Sequence, residues 1–281
     1  MDCIKPLLIA GLALLLGGCA GMQSHTKSSV VEYLYSDQKE NVIQPSVPRL
    51  KLPVKVGIAF VPEGDTRGGT SFWTGQRIGN GLTEADKMTL MQQVADHFGQ
   101  YDFVDSIEII PSAYLTAKGG FANLDQIRTM YGVDIIALVS YDQVQFVDEG
   151  AASVTYWTLI GAYVVSGEKN DTSTMLDTAV FDIASRKLLF RAPGVSRVQG
   201  KATAVNLSEQ LRKDSLQGFK EATRQMIENL DQQLELFKEK VKARPEEYQI
   251  SHHSGYGGGG AFGQLSLALM IAWGGWLKGM G

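Results

Sequence analysis

Cys19 is the residue of this chain best placed for covalent chemistry. It follows a short apolar run, Leu7 to Leu16, and two small residues, Gly17 and Gly18. An apolar run that ends in small residues is where a secretory signal is cut. A second stretch, Gly257 to Gly260, presents peptide units without side chains just ahead of another apolar run. Glycine disfavours helix by roughly 1 kcal/mol per residue relative to alanine, so this tract stays extended and its backbone is open to a protease.

The remaining reactive side chains form no catalytic pattern. Of the 4 histidines, His25 and the pair His252-His253 lie outside the expected folded core, and only His97 falls within it, on a helix. A lone helical histidine reads as structural. His252-His253 has no nearby acid or cysteine to complete a metal site. No His-Glu-x-x-His, Gly-x-Ser-x-Gly or Cys-x-x-Cys occurs. The loop Gly75-x-x-x-Gly79-x-Gly81 precedes a helix but lacks the Gly-Lys-Ser/Thr ending of a phosphate-binding loop. The acid pairs Glu63/Asp65 and Asp148/Glu149 are of a kind common in loops. The expectation is a protein with no enzymatic activity, no cofactor and no metal. Net charge is -4 with acids and bases interspersed. With no basic stripe, nucleic acid is not an expected partner.

The order Leu16-Gly17-Gly18-Cys19 resembles the bacterial lipobox. That resemblance implies cleavage between Gly18 and Cys19 and acylation of Cys19 with palmitate-type chains by the lipoprotein-processing machinery. Ala20, where an Asp would favour inner-membrane retention, then favours sorting to the outer membrane. Of the 2 cysteines, Cys3 would be lost with the signal peptide, so no disulfide is expected.

From Ala261 to Leu277 the chain runs for about 17 uncharged residues, at the low end for a spanning helix. At 1.5 Å per residue this covers about 25 Å, with Trp273 and Trp276 suited to an interface and Lys278 beyond. Three readings stand: a buried terminal helix, a permanent transmembrane anchor, and a sorting tail, the last preferred. Glycine tract, apolar helix and basic end together resemble GlyGly-CTERM signals, which are processed by rhombosortases, proteases of the rhomboid type. Lipobox and glycine-led tail together resemble the rhombotarget lipoprotein family. This resemblance makes Gly257, Gly258, Gly259 and Gly260 the processing region and a rhombosortase a partner.

These signals bracket the elements that would hold a folded domain. Residues 19–50 are polar and read as a tether, with a short strand or helix at Val30 to Tyr35. Val54 to Val61 reads as a buried strand. Thr83 and Asp86 predict a capping box, followed by Met88, Met91, Val94, Ala95 and Phe98 at helical spacing. Phe103 to Ile110 is a second strand. Asn123 is read as the cap of a short helix with Leu124, Ile127 and Met130 on its apolar face and Gly132 as its stop. Asp134 to Val147 is a long strand. Val154 to Ser166 is apolar, aromatic and uncharged, and reads either as core or as a surface that meets a membrane or partner. Gly167 to Ser173 reads as a polar turn. Met175 to Asp182 and Lys187 to Ala192 form a hairpin around Ile183-Ala184-Ser185-Arg186, with a further extended stretch from Val195 to Val205. Asn206 opens a long amphipathic helix that Pro245 ends.

The expected fold is α/β: one mixed sheet with helices packed on it over residues 51–244, then a polar and glycine-rich linker, 245–260, and the tail, 261–281. The order of elements resembles the α/β domains of TolB N-terminal regions and curli-secretion lipoproteins. The expected function is that of an envelope lipoprotein acting as a binding or assembly module. Its partners would be membrane lipid through Cys19, and an envelope protein or further copies of itself. The alternative is a subunit of an outer-membrane secretion or pore complex.

Overall fold

The structure is a computed structural model and describes residues 22–35, 46–63, 69–70, 77–78, 82–149, 168–202 and 206–253. Gly18, Cys19, the stretch 154–166, the glycine tract 257–260 and the tail 261–281 lie outside the described residues. No described helix is long and apolar enough to cross a membrane.

The first half of the chain contains β1 (Met22–Lys27), α1 (Val30–Leu34), β2 (Arg49–Leu52), β3 (Val54–Phe60), β4 (Gly69–Thr70), β5 (Arg77–Ile78), α2 (Glu84–Phe98), β6 (Val104–Ile109) and α3 (Gly120–Tyr131). The second half adds β7 (Ile135–Glu149), β8 (Glu168–Asp182), β9 (Lys187–Ala202), α4 (Leu207–Ala243) and β10 (Gln249–His252). The fold is α/β, as the element order predicts. One mixed sheet runs β6-β3-β7-β8-β9, parallel through its first three strands and antiparallel from β7 onward. The short strands β4 and β5 pair with each other.

Alternation along β3 explains the layering. Ile58 and Phe60 enter a core shared with α2 and α4, while Ala59 and Val61 enter a second core with α1 and α3. A strand buried on both faces reads as a continuous apolar run, and Val56 to Val61 does so once the exposed Lys55 is passed. The capping box at Thr83 is formed: its hydroxyl accepts from the Asp86 amide, and the Asp86 carboxylate accepts from the Thr83 amide. Gly132 ends α3 in the left-handed region, φ 67°, where a side chain would be strained.

The structure corrects the expected boundaries. Residues 22–34, read as part of a tether, belong to the fold. β1 pairs antiparallel with the far half of β7, and α1 buries Val30, Tyr33 and Leu34. The strand was hidden by composition: its buried residues include Ser24 and Thr26, which carry no apolar signal. At the other end, Gln249–His252 lies within the expected linker yet pairs parallel with β2, and Tyr248 beside it is buried. The folded unit therefore exceeds 51–244 on both sides. Asn123 does not cap α3. It sits one turn inside the helix, where its carboxamide oxygen accepts from the Tyr33 hydroxyl (2.8 Å) and the Thr116 amide (2.9 Å). Met130 is exposed, and Phe121 takes its place in the core.

The largest correction concerns β8 and β9. Glu168 to Ser173, read as a turn, is the first part of β8, and β9 continues through Pro193 and Gly194 without a break. With β7 they form a ribbon of three strands, 15, 15 and 16 residues long. The 37 residues of α4 lie along it, about 55 Å at 1.5 Å per residue.

Candidate functional site

Three places in the described fold have the geometry to bind or to transmit: a polar seam, a histidine cluster and an apolar cavity.

The seam lies where the first half of α4 crosses the distal part of the ribbon. Gln143 donates to Thr174 Oγ1 (2.7 Å) and to the Ser215 carbonyl (3.2 Å), and accepts from Ser215 Oγ (2.6 Å). Gln145 donates to Thr172 Oγ1 (3.1 Å) and to the Leu211 carbonyl (2.9 Å). Asn170 donates to Asp214, which also accepts from Gln210 (2.9 Å). Such buried groups are tolerable only when hydrogen-bonded. Helix and strands approach closely through glycine. A Cβ on Gly194 would collide with the Ala222 carbonyl and stand 2.7 Å from the Met226 Cβ. The seam explains why the polar stretch 168–174 is a strand: Thr172 and Thr174 accept from Gln145 and Gln143 of β7, which in turn donate to carbonyls of α4, and Asn170 donates to Asp214 of α4.

The histidine cluster joins α2 to α4. His97 Nε2 hydrogen-bonds Asp231 at 2.9 Å, and the Tyr101 hydroxyl donates to the same carboxylate (2.9 Å). Burial pushes the Tyr101 phenol up from its usual range, and Asp231 adds to the effect. Among the described residues no nucleophile is bonded to His97, and the three side chains fasten α2 and the turn after it to α4. Elsewhere, burial raises the Tyr141 phenol far above its usual range, with Glu63 contributing, so it stays protonated. His25 hydrogen-bonds Asp142 (2.8 Å). Among the described residues no group of three or more histidine, cysteine or acidic side chains converges on a metal-sized site. Glu63 of the sequence's acid pairs lies 3.4 Å from the Lys87 amine.

The third feature is an apolar cavity. It measures about 120 Å³ and lies in the first core, between the sheet, α2, α4 and the β2–β10 pair. Val56, Ile135 and Val180 form its floor, and Val94, Leu230 and Leu234 line it from the helices. Leu50, Leu52 and Ile250 line it from the β2–β10 pair. Thr178 supplies the only hydroxyl among the described lining side chains, and it donates to the Met226 sulfur (2.8 Å). The sequence marks the lining residues from the sheet and helices as core, places Leu50 in the tether and Ile250 in the linker, and gives no sign of the space between them, because a void depends on how elements from seven strands and two helices meet.

No protein-family model matches this chain. No curated protein matches it. Among solved structures it is similar to a homologue of a neuraminyllactose-binding hemagglutinin from Helicobacter pylori, at 11% identity and a TM-score of 0.37, over 74% of this chain and 96% of that one. It is also similar to PelC, a dodecamer from Paraburkholderia phytofirmans, at 10% identity and a TM-score of 0.28, over 65% of this chain and 94% of that one. Likeness at this level carries no argument about function.

Proposed function

We propose that this chain is a bacterial envelope lipoprotein of the rhombotarget type, acylated at Cys19 and acting as a non-enzymatic binding or assembly module. The observation that carries the reading is the Leu16-Gly17-Gly18-Cys19 motif placed immediately ahead of a folded strand. β1 starts at Met22, three residues beyond Cys19. An extended chain covers at most about 3.6 Å per residue, so the anchor would hold this end of the sheet within about 11 Å of the lipid-bearing cysteine.

The same geometry supports removal of the tail. Met22 lies opposite Val147, at the far end of β7. The chain leaves β10 at His253, whose amide donates to the Leu52 carbonyl, while the Asp134 amide ahead of β7 donates to Lys55, at the near end. Asp134 and Val147 are thirteen positions apart, about 40 Å along a strand. Residues 254–260 reach at most about 25 Å. With both ends held in one membrane, the long ribbon would have to lie along its surface. Cleavage within Gly257 to Gly260 by a rhombosortase frees the domain to stand on Cys19 alone and lets sorting machinery carry it to the outer membrane.

Acyl labelling tests the first step. Labelled palmitate should be incorporated into the wild-type protein and not into Cys19→Ser, which should accumulate as precursor. Equal labelling of the variant contradicts acylation at Cys19.

A second reading, a subunit of a secretion or pore complex, is favoured by one relationship. β7 and β8 both end at the Met22 end of the sheet, so the uncharged stretch 154–166 is tied to the anchored end. Tyr156→Asp or Trp157→Asp should then disperse a higher-order assembly while the domain stays folded, as size-exclusion chromatography would read. A monomer before and after substitution removes this reading.

A further inference from the structure

We infer that the apolar cavity is a binding site for one small neutral hydrocarbon, a molecule of about the size of benzene with no head group. A void in a close-packed core leaves its lining without partner atoms, so filling it is favourable. Water fills it poorly. A buried water needs two to four polar partners, and Thr178, the one polar side chain among the described lining residues, already directs its hydroxyl at Met226. A charged or hydrogen-bonding ligand would fare no better, because its polar group would be buried without a partner. Size sets the upper bound. An apolar cavity of about 150 Å³ in another protein stays dry and takes up benzene or xenon. This one, at about 120 Å³, holds a single ring or a hydrocarbon of a few carbons, and not an acyl chain.

The walls say what such a ligand would hold together. Val180 comes from the sheet, Leu230 from α4 and Ile250 from β10. Leu50 and Leu52 come from β2, which β10 joins through four parallel residue pairs. A ligand that touches all of these walls binds only when the β2–β10 pair is seated on the core, so its binding stabilises that pair. β10 is also the last described strand ahead of the glycine tract, so occupancy of the cavity bears on the end of the fold from which the tail departs. The inference does not rest on acylation of Cys19, and the two fail separately.

Methyl nuclear magnetic resonance tests it on the full chain in phosphatidylcholine nanodiscs, titrated with benzene and, separately, with pyridine. Benzene should shift the methyl signals of Val180, Leu230 and Ile250 together and saturably. Those of Leu236, exposed on the same helix as Leu230, should not follow. Pyridine has the shape of benzene but an acceptor nitrogen that the cavity leaves unpaired, so it should bind at least about tenfold more weakly. Ala137→Leu and Val180→Leu, which fill the space, should each abolish the shifts at Leu230 and Ile250 with an unchanged circular-dichroism spectrum. No shift at the cavity walls up to the solubility of benzene overturns the site. Equal shifts at Leu236, or shifts that survive both fillings, also overturn it. Pyridine binding as tightly as benzene overturns the ligand class. If the filled variants do not fold, the wild-type titration decides: walls that do not respond apart from Leu236 contradict the proposal.

Discussion

His97 and Asp231 meet at 2.9 Å although 134 residues separate them, and Tyr101 donates to the same carboxylate. This bond ties α2, from the parallel half of the fold, to α4, which also lies along the antiparallel ribbon. Asp231→Ala removes both bonds. The groups are partly exposed, so the expected loss is about 0.5–1.5 kcal/mol, read as a lower denaturation midpoint. His97→Gln alone, which keeps Asp231 and can still donate to it, should lose less. No loss in Asp231→Ala would mean that the helices are held by apolar packing alone.

Gly194→Ala should be far more damaging than an ordinary glycine-to-alanine change in a strand. The new methyl group would meet the Ala222 carbonyl, and backbone cannot rotate away. Overpacking of this kind costs about 1–3 kcal/mol. Thermal melting is the readout. A melting temperature equal to wild type would show that α4 lies further from β9 than described.

A protein beginning at Leu50 should melt well below one beginning at Met22. The shorter form lacks β1 and the buried Val30, Tyr33 and Leu34 of α1. Tyr33→Phe in the longer form isolates one part of the effect, the hydroxyl donated to Asn123, at about 1 kcal/mol. Equal melting of the two forms would return residues 22–34 to the role of a tether.

These tests fall where the sequence was least legible. The capping box at Thr83, the strand at Val54 and the long helix after Asn206 follow from local spacing and were readable. β1, the start of β8 and the inward-facing Asn123 are polar, and each is buried because a distant segment satisfies it: β7 for the first, β7 and α4 together for the second, and Tyr33 for the third. No pattern within a short window reports such a partner. The cavity was hidden for the same reason.

Acid should weaken the distal ribbon modestly through Asp171. The Arg197 guanidinium hydrogen-bonded to it holds its carboxyl below the usual carboxylate range. A depressed folded pKa contributes stability that is present above the unfolded value, near pH 4, and is lost as pH falls through the folded value. Asp171→Asn should therefore narrow the gap between melting temperatures at pH 6 and pH 3. An unchanged gap would show that the pair contributes nothing, as many surface pairs do.

The proposed function requires that this domain end on Cys19 alone, with the tail removed. Two epitope tags separate the outcomes, one inserted after His253, beyond β10, and one after Gly281, followed through membrane fractionation. The outer-membrane fraction should carry the tag at His253 and lack the tag at Gly281. Replacing Gly257 to Gly260 with leucine should leave an uncut form in the inner membrane. Both tags on one molecule in the outer membrane would contradict the proposed function.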